Sequence, residues 1–144
     1  MKNERFLSPE KWRKSHKSNE ANCLGFALGV RERIELPWED IKIEESFKET
    51  CKQYNLIVRQ VEHIEINKIC FLVYGFFPFY MPEFCRDYEF PCEKRDFHIV
   101  RVEPDGTWVH KPDSCQPPTV ISEHGPLTFG EYFEKPKIFV LDED

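Results

Sequence analysis

The sequence predicts an α+β fold in which helices come first and an antiparallel sheet follows. Segments with a helical spacing of apolar residues lie before residue 55, and segments with the pattern of strands lie after it. Two of these strand segments are joined by the short turn Pro104-Asp105-Gly106, which is typical of a hairpin. Helices followed by a run of strands are the pattern of the α+β class. We therefore expect one domain over residues 1–144, with its N-terminal helices packed on the sheet.

Length, composition and charge narrow the class of protein. The chain has 144 residues, of which 40% are hydrophobic and 32% charged, so we expect a soluble globular domain with a substantial core. Its net charge of −6 offers no evident basic face for phosphates, so a nucleic-acid partner is not expected. No apolar run approaches the roughly 20 residues that span a bilayer, so no membrane partner is expected either.

The N-terminus and the cysteines indicate the compartment in which the protein is synthesised. The first five residues include no apolar segment of a secretory signal, so a cytoplasmic location at synthesis is expected. Delivery elsewhere would need a route that no signal peptide encodes. Six cysteines at irregular spacing are typical of reduced thiols rather than of a disulfide framework. The sequence indicates no oligomeric state.

Three helices are predicted before residue 55. The first begins after Ser8, which is a good N-cap residue and is followed by Pro9, within a polar N-terminal extension that covers residues 1–18. The second covers residues 22–33, with Asn22 as its N-cap. The third has apolar residues at spacings of four, four and three, which trace one buried stripe and place its cysteine in the core. These residues are Ile43, Phe47, Cys51 and Tyr54.

The strands are predicted in the second half of the chain. The clearest is 97–102, which alternates apolar and polar residues and forms a hairpin with 107–110. A continuous apolar run over 69–77 predicts a central strand, because it is rich in strand-forming residues. Further strands are predicted near 56–66 and over 137–141. Loops are expected over 78–95 and 112–128, where they would shape a cleft, and a helical turn over 128–133.

Cys23 and two histidines are the candidate catalytic residues. Cys23 is expected in the first turn of its helix, where free amides and the helix dipole favour a thiolate. His98 and His110 lie on the two arms of the hairpin, so their side chains can meet across the antiparallel pair. We expect Cys23 to act as nucleophile, His98 as general base and acid, and His110 as the group that orients His98. Asp96 is the alternative orienting residue, and the Cys23 amide would hold an oxyanion.

These features resemble the NlpC-type branch of the papain-like cysteine peptidases, in which an Asp/Asn-Cys pair opens a helix and a Cys–His–polar triad performs the chemistry. The segments 22–28, 96–98 and 106–112 are more closely similar to little-described bacterial and phage proteins that carry NCYAYAL and DYHWYRQ…WSHKPG segments. The resemblance implies a papain-like domain that is a hydrolase of thiol-protease or amidase type. Its implied substrate is an amide of a peptide, a peptidoglycan peptide or a protein, cleaved through a thioester without metal or cofactor.

Two functions from other classes stay open at this point. The chain could be a binding or effector module that keeps the fold without turnover. It could also be a small zinc-stabilised interaction domain, since Cys85 and Cys92 are followed by His110 and Cys115. Structural zinc sites normally use two cysteines separated by two to four residues, and this chain has no such pair. A metal is therefore not expected.

Overall fold

A computed structural model describes residues 5–36, 42–76, 96–111, 117–121 and 136–142. Both helices and strands are present, so the predicted α+β class is confirmed. The helices are α1 (Pro9–Ser15), α2 (Cys23–Leu28) and α3 (Ile43–Gln53), with a 3₁₀ turn at Ser18–Glu20. The strands are β1 (Ile57–Val61), β2 (Cys70–Phe76), β3 (Asp96–Val102), β4 (Trp108–His110), β5 (Thr119–Ile121) and β6 (Lys137–Asp142).

The six strands form one sheet in the order β1-β6-β2-β3-β4-β5, and every neighbouring pair is antiparallel. The predicted hairpin is confirmed, because Arg101 pairs with Val109 and Val102 with Trp108 across the turn. Gly106 occupies that turn with a φ of 89°, a conformation that suits glycine. The last strand, β6, lies between β1 and β2 and pairs with both.

Alternate residues of each strand point to opposite faces of the sheet. One face, which we call the helix face, packs with residues of α2 and α3. It includes Phe71, Val73, Ile99, Phe139 and Leu141. The opposite face, which we call the far face, forms a second apolar cluster. It includes Cys70, Leu72, Tyr74, Val100, Val102 and Val140.

The helices follow the predicted stripes, with one difference in length. Phe47 and Cys51 of α3 are fully buried, as the spacing of its apolar residues predicts. The predicted second helix over 22–33 instead ends at Leu28, because Gly29 adopts a left-handed conformation with a φ of 73°. A left-handed residue ends a helix because the amides that follow the last helical residue then bond to carbonyls of the last turn. Here the Val30 amide bonds to the Gly25 carbonyl over 2.9 Å.

Residues 5–16 belong to the same core as the rest of the domain, so this part of the predicted N-terminal extension is not a separate tail. Ser8 caps α1 by accepting a hydrogen bond from the Lys11 amide, as predicted. Phe6 and Trp12 are both buried. The side chain of Arg5 donates to the carbonyl of Leu28 at the end of α2.

Other predicted boundaries differ from the structure at named positions. The strand expected near 56–66 is confined to β1, and residues 62–69 turn back across the end of β6, where the Leu141 amide bonds to Ile69. β5 lies in a segment that was predicted as loop. The predicted loop over 78–95 and helical turn over 128–133 lie outside the described residues. Within the described ranges, no helix has the length and apolar character needed to cross a bilayer.

Candidate functional site

Cys23 is the first residue of α2, and Asn22 is its N-cap, as the sequence predicts. The Asn22 side-chain oxygen accepts a hydrogen bond from the Gly25 amide over 2.9 Å. The sulfur therefore belongs to a residue at the positive end of a short helix, which favours the charged thiolate. Cys23 is nonetheless only 8% exposed and packs in the helix-face core.

The Asn22 side chain also performs a structural task that the sequence did not predict. Its amide nitrogen donates to the carbonyl of Ile34 over 2.7 Å, and its oxygen accepts from the Ile34 amide over 3.1 Å. The segment after α2 is thereby held against the start of the helix. These bonds and the cap account for an asparagine at this position without reference to the neighbouring thiol.

His98 and His110 meet across β3 and β4, which confirms the predicted contact between them. Nε2 of His98 lies 2.8 Å from Nδ1 of His110, which is a hydrogen-bond distance. The two rings are nearly perpendicular, with an interplanar angle of 83°. In the strand register His98 is opposite Tyr74 and His110 is opposite Thr119. The pair thus lies in a diagonal line of polar residues, one from each of four neighbouring strands.

Both histidines are neutral at neutral pH. Burial, followed by the nearby charge of His110, lowers the pKa of His98 from 6.5 to about 3. Burial also lowers the pKa of His110. One ring nitrogen therefore donates its hydrogen and the other accepts with its lone pair. A lowered pKa makes an imidazole a weaker base, so the burial of His98 does not favour removal of a proton from a thiol.

Cys23 and His98 lie on opposite sides of the sheet. Phe97 and Ile99, the neighbours of His98 in β3, pack in the same helix-face cluster as Cys23. His98 lies between them and is opposite Tyr74, a member of the far-face cluster. The pairing of β2 with β3 runs through consecutive residues without a bulge, so the alternation of side chains is not reversed.

The predicted triad of Cys23, His98 and His110 is therefore not assembled in this structure. The spacing of the two histidines on their hairpin can be predicted from the sequence. The face of that hairpin that the helix covers cannot, so the expected position of Cys23 beside the pair was wrong. A shift of one residue along β3 would have turned His98 toward α2. The histidine pair forms as expected, and the cysteine does not join it.

The remaining candidate residues fall partly outside the described ranges. Asp96 begins β3 opposite Phe76, but its side chain is not among those described. Cys85, Cys92 and Cys115 of the zinc alternative also lie outside the described residues. Within the part of the chain that the structure describes, no three histidine, cysteine or acidic side chains are grouped so as to hold a metal ion.

Two buried cations were not predicted from the sequence. Arg101 and Lys111 are both fully buried, although charged residues are rarely buried without partners. Arg101 lies in the helix face of β3, with its guanidinium carbon 4.6 Å from the ring centre of Phe26. The available signal was an arginine on the same face as Ile99 in an otherwise apolar strand. Such a residue usually binds backbone carbonyls or an acid.

Comparison with known proteins adds no relative. No known protein family matches the chain, and neither a curated protein nor a solved structure matches it. The resemblance to papain-like enzymes thus rests on the motif segments alone.

Proposed function

We propose that this chain is a binding module, built on a papain-like α+β scaffold, that acts without thiol chemistry. The observation that carries this proposal is the separation of Cys23 from the histidine pair by the sheet. A thiol nucleophile needs a base within hydrogen-bond reach. Here the side chain of His98 projects from one face of β3, and α2 covers the other face.

The structural roles of the glycines near the cysteine support the same proposal. A Cβ atom on Gly25 would lie 1.9 Å from the carbonyl oxygen of Glu32, so only glycine permits this close approach. Gly29 ends the helix in a left-handed conformation, and a Cβ there would lie 2.5 Å from the carbonyl oxygen of Arg5. Together with the bonds from Asn22 to Ile34, these contacts give the motif around Cys23 a packing function.

A second candidate is the cysteine-dependent amide hydrolase that the motif resemblance implies. One observation favours it, namely the position of Cys23 at the capped start of α2. As a peptidase, amidase or deamidase, the protein would attack an amide of a peptide, a peptidoglycan peptide or a protein side chain. Its thiol would then need a base other than the pair of His98 and His110.

Thiol reactivity distinguishes the two candidates. We suggest labelling with iodoacetamide near neutral pH in a background where Cys85, Cys92 and Cys115 are replaced by serine, followed by peptide mapping. Cys51 is an internal control, because burial raises its pKa to about 12. The binding module predicts that Cys23 reacts about as slowly as Cys51. Labelling of Cys23 faster than that of free glutathione would overturn the proposal and favour the hydrolase.

A product assay gives a second, independent test. Muropeptides and a glutamine-containing protein substrate are incubated with the wild type and with Cys23→Ala, and mass changes are measured. Under the proposal neither protein changes the mass of either substrate. Cleavage or deamidation by the wild type that is lost in Cys23→Ala would establish the hydrolase instead. The His98→Gln variant shows whether the histidine pair takes part, since a hydrolase that uses another base would keep its activity in this variant and the predicted triad would lose it.

A further inference from the structure

The geometry points to an acid-sensitive latch at the seam between β3 and β4, formed by the hydrogen bond between His98 and His110. The latch holds β4 and β5 onto the remaining four strands of the sheet, and acid releases them. In this subsection the antiparallel pair of β4 and β5 is called the hairpin. This inference stands whether the chain binds a partner or hydrolyses an amide, because it uses neither Cys23 nor a substrate.

Among the described residues, the seam has the shortest ladder of the sheet. Strand β3 pairs with β2 over seven consecutive residue pairs, whereas it pairs with β4 over only two, Arg101 with Val109 and Val102 with Trp108. Continued in the same register, His110 would be opposite Val100. The bond from His110 to His98 therefore reaches diagonally along β3, past the end of the paired residues.

The chemistry of an imidazole pair makes this bond sensitive to protons. In the neutral pair one ring donates and the other accepts. When the first proton is taken up from water, one ring donates from both nitrogens and the bond survives. When the second is taken up, both facing nitrogens carry hydrogen, no acceptor remains and two positive charges repel each other. Because His98 is only 7% exposed, the closed structure disfavours charge, so proton uptake is coupled to opening.

Few of the described side chains beside the pair titrate. Among the described residues on the far face of β2, Tyr74 is titratable and lies opposite His98, and Cys70 lies at the other end of that strand. The described neighbours on this face from β4 and β5 include Trp108 and Thr119, which do not titrate. At the distant edge of the sheet, Arg59 of β1 binds Asp142 of β6 and also Glu65, and Lys137 of β6 lies 3.9 Å from the carboxylate of Glu44 in α3.

The helix face keeps the hairpin attached while the latch opens. Val109 of β4 packs in a third apolar cluster with Trp12, Ala21 and Phe26, which belong to the N-terminal helical region. Apolar packing of this kind does not depend on pH. Release of the histidine pair should therefore loosen β4 and β5 locally and leave β2 and β6 intact.

Amide hydrogen exchange as a function of pH tests the latch in the intact protein. Protection factors, corrected for intrinsic exchange rates, are measured for the amides of β4 and β5 and compared with those of β2 and β6. We expect β4 and β5 to be less protected than β2 and β6, which exchange by global unfolding, and to lose protection by up to about tenfold per pH unit for each proton taken up, as pH falls from about 6 to about 4. Protection in β4 and β5 equal to that in β2 and β6 at every pH, or no loss in β4 and β5, would overturn the inference.

Variants separate the histidine pair from other acid effects. His110→Asn and His98→Gln, combined, retain donor and acceptor groups near the positions of the bonded nitrogens but do not titrate in this range. The double variant should abolish the extra pH dependence of the hairpin, whereas His63→Asn, which changes an exposed histidine, should leave it as in the wild type. If the double variant does not fold, nitrogen chemical shifts of the wild-type rings decide. Ring protonation that does not coincide with loss of hairpin protection contradicts the latch.

Discussion

The guanidinium of Arg101 in β3 donates a hydrogen bond to the main-chain oxygen of Phe26 in α2 over 3.0 Å. The same group also donates to the carbonyl of Leu7 over 2.5 Å and to the carboxylate of Glu103 over 2.7 Å. One fully buried side chain thus joins the sheet, the second helix and the N-terminal segment. Burial of a cation is costly unless its donors are satisfied, and here each of its three nitrogens has a partner.

Removal of this cation should be strongly destabilising. Arg101→Met leaves two backbone carbonyls and a carboxylate without their donor, so we expect the free energy of unfolding to fall by about 3 kcal/mol or more. Arg33→Met is the control, because Arg33 is exposed and, among the described residues, donates to the Asn19 carbonyl at the surface; its effect should stay within about 0.5 kcal/mol. Urea unfolding measures both. Similar losses in the two variants would refute this account of Arg101.

Gly25 should tolerate no larger residue. In Gly25→Ala the new methyl group would lie 1.9 Å from the Glu32 carbonyl oxygen, so backbone must move, and we expect a loss of about 2–3 kcal/mol. Gly106→Ala meets nothing within 4 Å and is strained only by its positive φ, so about 1 kcal/mol is expected. Thermal melts of the two variants check the order. A Gly25→Ala melt at or above that of Gly106→Ala would contradict the predicted clash.

Asn22 should contribute more stability than an ordinary helix cap. Asn22→Ala removes the cap of α2 and both bonds to Ile34, so we expect a loss of about 2 kcal/mol or more. Ser8→Ala removes only the exposed cap of α1 and should cost about 0.5–1 kcal/mol. Asn22→Asp keeps the acceptor and loses the donor, so it should fall between. Equal effects of Asn22→Ala and Ser8→Ala would show that the bonds to Ile34 add nothing.

Global stability should decrease in mild acid because of the histidine pair. The folded pKa of His98 is about 3, below its ordinary value of 6.5, so the unfolded chain binds a proton first as pH falls. The free energy of unfolding is then unaffected above pH 6.5 and decreases below it, toward pH 3. Urea unfolding at several pH values down to about 5, above the range of ordinary carboxylates, isolates this effect. The His98→Gln variant should show a flatter profile; an identical slope would contradict the assignment.

Much of the fold could be predicted from local patterns. The cap at Asn22, the stripe of α3 and the hairpin of β3 with β4 each depend on residues close together in the chain, and the structure has all three. Hairpin geometry also brought His98 and His110 within reach, as expected. β5 was missed because three residues, Thr119 to Ile121, give too short a pattern beside a segment rich in proline and serine.

The face of the sheet on which α2 packs could not be predicted in the same way. Alternation along β3 assigns His98 and Ile99 to opposite faces, but each face carries buried residues, so the pattern alone does not say which one the helices cover. The bond from Arg101 to Phe26 shows which face is covered, because it joins α2 to the face of β3 that carries the odd-numbered residues. That bond joins residues 75 positions apart, beyond the reach of any local pattern.

The place of β6 inside the sheet has a consequence for biosynthesis. Because β1 and β2 each pair with β6 and not with each other, a nascent chain that has passed residue 76 has made two of its strands without the partner that joins them. Apolar edges would stay exposed until residue 142 has left the ribosome, so this domain should depend on late, rather than progressive, folding and on chaperone protection in the interval.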